Sequence, residues 1–103
     1  MSNLFQITKK QKETVLTILN QFFPHSEFFV YGSRATCKSL KPFSDLDIAI
    51  RNTVKIDLDQ IAQAAEAFSS SDLPFKVDLI DLKSISDEFR SHIENDLVQL
   101  QNS

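Results

Sequence analysis

From Asp45 to Ile50 the chain runs Asp-Leu-Asp-Ile-Ala-Ile, a polar–apolar alternation with a period of two that suits a β-strand and no helix. On that strand Leu46, Ile48 and Ile50 leave one face and can bury against helices. Asp45 and Asp47 leave the other, with Cα atoms roughly 6.6 to 6.8 Å apart. The segment therefore demands a sheet that is covered on one side and opens on acid at one end of the other.

The rest of the chain supplies the partners. Thr8 followed by Gln11 reads as a capping box, and Val15, Ile18, Leu19 and Phe22 recur at helical spacing until Pro24, which predicts a helix over about residues 9 to 23. Phe28 to Tyr31 is an aromatic and β-branched run bounded by Ser26 and Gly32, a first strand. Asp57 caps a predicted helix whose apolar face is Leu58, Ile61, Ala62, Ala65 and Phe68, ending in the Ser69 to Asp72 cluster before Pro74. Phe75 to Ile80 alternates as a third strand, and Ser86, with Asp87 and Glu88 behind it, caps a last helix carrying Phe89 and Ile93. Leu97 to Leu100 suits either a continuation of that helix or a short strand. The order helix, strand, strand, helix, strand, helix predicts an α/β (α+β) domain with a small sheet, and 103 residues without an internal linker predict one domain over 1–103.

Charge and cysteine content remove several classes. A formal charge of −3 gives no general attraction to a polyanion, so a nucleotide or nucleic-acid contact must come from a local site or from metal, and strong nucleic-acid binding by the chain itself is not expected. One cysteine, Cys37, excludes an intramolecular disulfide and a cysteine-based zinc cluster, and no His stands near it to make it a nucleophile. No stretch of 18 apolar residues and no signal-like amino terminus occur, which predicts a cytoplasmic protein without a membrane span. His25 and His92 are isolated and read as solvated; the phenylalanines read as core.

Asp78, between Val77 and Leu79, is set like Asp47, and if the two strands are neighbours three carboxylates converge. Asp81 is a nearby competitor, but alternation puts Asp78 on the shared face with Lys76 and Ile80. Three adjacent anions repel one another, and divalent metal is the simplest compensating charge. Oxygen-only ligands suit Mg²⁺ or Mn²⁺ better than zinc, and two such ions about 3.5 to 4 Å apart serve in-line displacement at phosphorus. The only glycine of the chain, Gly32, ends the first strand. There it permits a sharp turn and leaves the following amides and the Ser33 hydroxyl for a phosphate, with Arg34, Lys38 and Lys41 adding positive charge.

These residues together resemble the nucleotidyltransferase superfamily of DNA polymerase β type, and most closely its minimal members. The shared pattern is a Gly-Ser turn, a spacer, Ser-Asp-x-Asp with a following aliphatic, and a third acid on a later strand. It reads here as Gly32-Ser33-Arg34-Ala35-Thr36, Ser44-Asp45-Leu46-Asp47-Ile48 and Val77-Asp78-Leu79, and covers about residues 28 to 90. One position departs: Cys37 stands where the family commonly has glycine. The resemblance implies a polymerase β-like fold with a small mixed sheet flanked by helices, and ATP as substrate. It also implies Asp45, Asp47 and Asp78 as catalytic and metal-binding residues for two Mg²⁺ ions, and Gly32, Ser33, Arg34 and Ser44 around the nucleotide. Minimal members like this one often pair with a separate helical protein of the HEPN type, a ribonuclease toxin, and act as its antitoxin by moving AMP from ATP to a tyrosine hydroxyl. Two other functions stay open at this point: a two-chain small-molecule transferase resembling the antibiotic nucleotidyltransferases, and a non-catalytic antitoxin that masks its partner.

Overall fold

β2 (Leu46–Arg51) is the strand around which the rest is built: Leu46, Ile48 and Ile50 are fully buried on one face, as the alternation requires. The structure, a computed structural model, describes residues 8–31 and 46–100. β2 pairs antiparallel with β1 (Glu27–Tyr31) and parallel with β3 (Val77–Asp81), while β4 (Val98–Gln99) pairs antiparallel with β1. The sheet is mixed, in the order β3-β2-β1-β4. A parallel pair needs a crossover, and the residues between β2 and β3 provide it as α2 (Leu58–Ser69).

α1 (Lys9–Phe22) starts at the predicted capping box, where the Thr8 hydroxyl accepts from the Gln11 N–H at 3.0 Å and the Gln11 side chain accepts from the Thr8 N–H at 2.8 Å. The chain then turns through Pro24 and His25 into β1. α2 is capped by Asp57, whose carboxylate accepts from Asp59 N–H at 3.0 Å. α3 (Asp87–Glu94) is capped by the Ser86 hydroxyl, accepting from Phe89 N–H at 3.1 Å, with Asp87 and Glu88 in its first turn, favourable to the helix dipole.

α1 and α2 cover one face of the sheet: Val15, Leu19, Phe23, Ala64 and Phe68 pack on Phe28, Val30, Leu46, Ile48 and Ile50. Each of the Val, Leu, Ile and Phe side chains among them contributes about 1.5–3 kcal/mol. On the opposite face Ala49, Leu82 and Ile93 form a second, smaller cluster with Phe29, Tyr31, Ile80, Ile85 and Leu97 around it. That face is only thinly covered, by α3, and it is the face to which Asp47 belongs.

Two expectations are corrected. The apolar face of α2 is narrower than predicted: Ile61, Ala64 and Phe68 face the core, whereas Leu58 is 74% exposed and Ala62 and Ala65 are exposed. A helix laid on a sheet buries only its line of closest approach, and Leu58, in the first turn, stands outside it. The third strand begins at Val77, with Phe75 buried ahead of it. The carboxy-terminal alternative resolves as a strand, because β1 has a free edge there, and Leu100 N–H extends the pairing to the Phe28 carbonyl at 2.9 Å.

Candidate functional site

Parallel pairing of β2 and β3 sets Asp47 directly opposite Asp78, and antiparallel pairing of β1 and β2 sets Tyr31 opposite Asp47. Residues in register share a face, so Tyr31, Asp47 and Asp78 form a row across three strands, each step being about 4.8 Å between strand axes. The amino-terminal end of β2 is held against β3 by Leu46 N–H donating to the Lys76 carbonyl at 2.8 Å, next to this row. The convergence expected of Asp47 and Asp78 is thus observed. Asp45, Gly32, Ser33, Arg34 and Ser44, together with Cys37, Lys38 and Lys41, lie outside the described residues.

Both acids are half-buried. Lys76 reaches Asp78 at 3.7 Å, but the two side chains are 72% and 42% exposed, so solvent screens the pair and leaves it weak. The field of the carboxylates is legible on Tyr31. Its phenol is pushed up to about 12, first by burial and then by the negative charges of Asp47 and Asp78. Tyr31 also meets the Phe89 ring edge-on at 6.3 Å, which walls the row on the α3 side. Two carboxylates side by side at a half-open sheet end, with no His or Cys ligand grouped with them among the described residues, fit a hard cation such as Mg²⁺ or Mn²⁺. Among the described residues no three His, Cys, Asp or Glu side chains gather as a metal site. Asp47 and Asp78 are two, and the third acid expected with them is Asp45.

Asp81, the competitor, does different work. It is 2% exposed and in register with Ile50, on the face away from Asp78's row. One of its oxygens accepts from Ile56 N–H at 2.8 Å and the Ser84 hydroxyl at 3.0 Å, and the other from Lys83 N–H at 3.0 Å. This carboxylate ties the β2–α2 connection to the β3–α3 connection. Sequence reasoning missed that role, and it also missed Tyr31 and Phe89 as neighbours of the acids. The available signal for Tyr31 was its place immediately before Gly32 at the end of the first strand.

A mixed sheet with a βαβ crossover and in-register acids at the start of the two parallel strands is the fold of a nucleotidyltransferase. The comparisons agree: the chain belongs to the family described as Polymerase beta, Nucleotidyltransferase, which matches residues 7–102. It is 38% identical over 103 residues to the probable protein adenylyltransferase MntA of Haemophilus influenzae, across 98% of this chain and 90% of that protein. Among solved structures, a toxin–antitoxin crystal structure with AMP-PNP superposes with a TM-score of 0.73 at 24% identity, over 89% of this chain and 73% of that one. A complex of the tri-AMPylated HEPN toxin of Shewanella oneidensis with its MNT antitoxin does so with a TM-score of 0.71 at 21% identity, over 94% of this chain and 74% of that one. At such identities the structures speak for the fold. No helix among the described residues is long and apolar enough to cross a membrane.

Proposed function

We propose that this chain transfers AMP from ATP to a hydroxyl on a separate helical HEPN-type protein and serves as that protein's antitoxin in the cytoplasm. The observation that carries the reading is the in-register pair Asp47–Asp78 at the half-open end of the sheet. The name of the Haemophilus relative, matched over nearly the whole of both chains, supports a protein acceptor. The toxin–antitoxin neighbours, one holding AMP-PNP and one an AMPylated toxin, support ATP and a HEPN partner.

In this reading Asp45, Asp47 and Asp78 hold two Mg²⁺ ions, with Mn²⁺ as a substitute, and Gly32, Ser33, Arg34 and Ser44 hold the nucleotide. When bound, Mg²⁺ neutralises phosphate charge and polarises the α-phosphoryl oxygens. The Ser33 hydroxyl and the amides after Gly32 orient the triphosphate so that its α-phosphorus faces the acceptor. The acceptor oxygen then forms a bond to the α-phosphorus while the bond to the bridging oxygen breaks, and pyrophosphate departs. The Asp78 carboxylate takes the acceptor proton.

The test is incubation with α-labelled ATP and Mg²⁺, with and without the co-encoded helical neighbour. Label and a mass gain of one or more AMP on the neighbour, lost in Asp47→Asn and in Asp78→Asn while the two proteins still associate, are expected. A tight complex without label would replace catalysis by masking.

A further inference from the structure

A cleft of about 770 Å³ opens at the other end of the sheet from the acids. Glu27 at its rim and Tyr31 beside Asp47 are the two ends of β1, four residues or roughly 13 to 14 Å apart. Into the cleft the fold brings four cations, Arg51, Lys55, Lys83 and Arg90, with His25 beside them, against one lining carboxylate, Glu27, in a chain whose formal charge is −3. The cations come from separate segments, and buried Asp81 gathers two of them. By accepting from the N–H groups of Ile56 and Lys83, it holds the connections that carry Lys55 and Lys83 together. Like charges so placed repel one another unless an anion sits between them.

The arginines are oriented beforehand. Arg51 donates from Nε at 2.8 Å to Glu27 Oε1, with Nη2 at 2.7 Å from the same oxygen, and its guanidinium lies 5.0 Å from the centre of the Phe29 ring. Arg90 donates from Nη2 to the Leu82 carbonyl at 2.7 Å and stands 3.8 Å from exposed Asp87, while its buried Nε has no acceptor among the described residues. His25 lines the same cleft with φ at 67°, a left-handed turn conformation that His tolerates better than most residues with a Cβ.

We propose that this cleft is a second anion site, distinct from the acid-lined one, that takes a compact compound bearing several phosphate groups. Guanidinium forks and lysines are the groups that recognise phosphate. The volume falls in the range of about 300–1,000 Å³ typical of small-ligand sites. Among the described residues the lining is dominated by Arg and Lys and includes no Phe, Tyr or Trp, which favours phosphate as the recognised group. A long polyanion, once past the cleft, would meet a chain that is acidic overall.

The test is calorimetric titration of the full chain with tripolyphosphate in the presence of EDTA. Without divalent cation Asp47 and Asp78 repel the probe, and substitutions at Lys55 and Lys83, which line the cleft and stand apart in sequence from Ser33 and Arg34, assign the heat to the cleft whether or not the chain transfers AMP. One saturable, salt-sensitive site is expected. Lys55→Gln with Lys83→Gln should weaken it by about tenfold or more, and Lys55→Arg with Lys83→Arg should retain it, all at an unchanged urea midpoint. Absence of saturable binding, equal binding by the Gln pair, loss in the Arg pair, or tighter binding of a short single-stranded RNA than of tripolyphosphate would each overturn the proposal.

Discussion

Replacing Asp81 tests whether the two neighbouring acids of β3 have been assigned their proper work. In Asp81→Ala the Ile56 N–H, buried with its residue at 5% exposure, loses its acceptor, which costs about 1–3 kcal/mol. The N–H of Lys83 and the hydroxyl of Ser84 belong to exposed residues and can turn to water, so each adds only about 0.5–1 kcal/mol. Relief from burying a carboxylate offsets part of this, leaving a net loss of about 2–4 kcal/mol out of a total near 5–15. Asp81→Asn keeps one acceptor oxygen, which can serve Ile56 and Ser84, but its amide then meets the Lys83 N–H, for a loss of about 1–2 kcal/mol. Urea denaturation followed by circular dichroism reads both, with the Ala midpoint falling by about 1–2 M at constant slope. An Ala variant within about 0.5 kcal/mol of the parent, the range of an ordinary surface change, would refute the assignment.

Three further outcomes follow from the same structure. Tyr31 is the chain's only tyrosine and there is no tryptophan, so its tyrosinate absorbance is unobscured; the midpoint should lie at about 12 and drop in Asp47→Asn with Asp78→Asn, staying above 10 because burial is the largest cause. The raised value favours the neutral phenol in the fold, so the stability it contributes is intact below pH 10 and is lost as pH rises through 12; a parent midpoint at 10 would contradict the placement of Tyr31. Ile48→Ala, at a position with no exposure in the middle of β2, should cost about 2–5 kcal/mol in the same urea assay, and a loss under 1 would be inconsistent with a packed site. Ser86→Ala removes the α3 cap and should cost about 1 kcal/mol; hydrogen exchange should rise first at the Phe89 N–H, and unaltered exchange there would count against the cap.

How much of this was legible beforehand differs residue by residue. The Thr8–Gln11 box, the buried Leu46-Ile48-Ile50 series and the Ser86 cap are written in contiguous residues, because hydrogen bonds within a helix turn and alternation along a strand span only two to four positions. The same alternation puts Asp78 on the face of Asp47 and Asp81 on the other, and the register of β2 with β3 shows that placement. It failed for α2, where Leu58, Ala62 and Ala65 are apolar at helical spacing and still exposed. A helix's period says which residues share a side, and only its resting place on the sheet says how wide that side is.

The sequence by itself determined α1, β1, β2, α2 and α3 to within a few residues, the face on which Asp47 and Asp78 leave their strands, and the family through short motifs, while it left the last strand open. Tertiary structure decided which strands are neighbours. With that choice came the opposition of Asp47 to Asp78, the place of Tyr31 beside them, and the gathering of cations from four segments into one cleft around the clamp of Asp81. Local hydrogen bonding and side-chain period act within a few residues, whereas strand order is settled by which arrangement buries the most apolar surface across the whole chain.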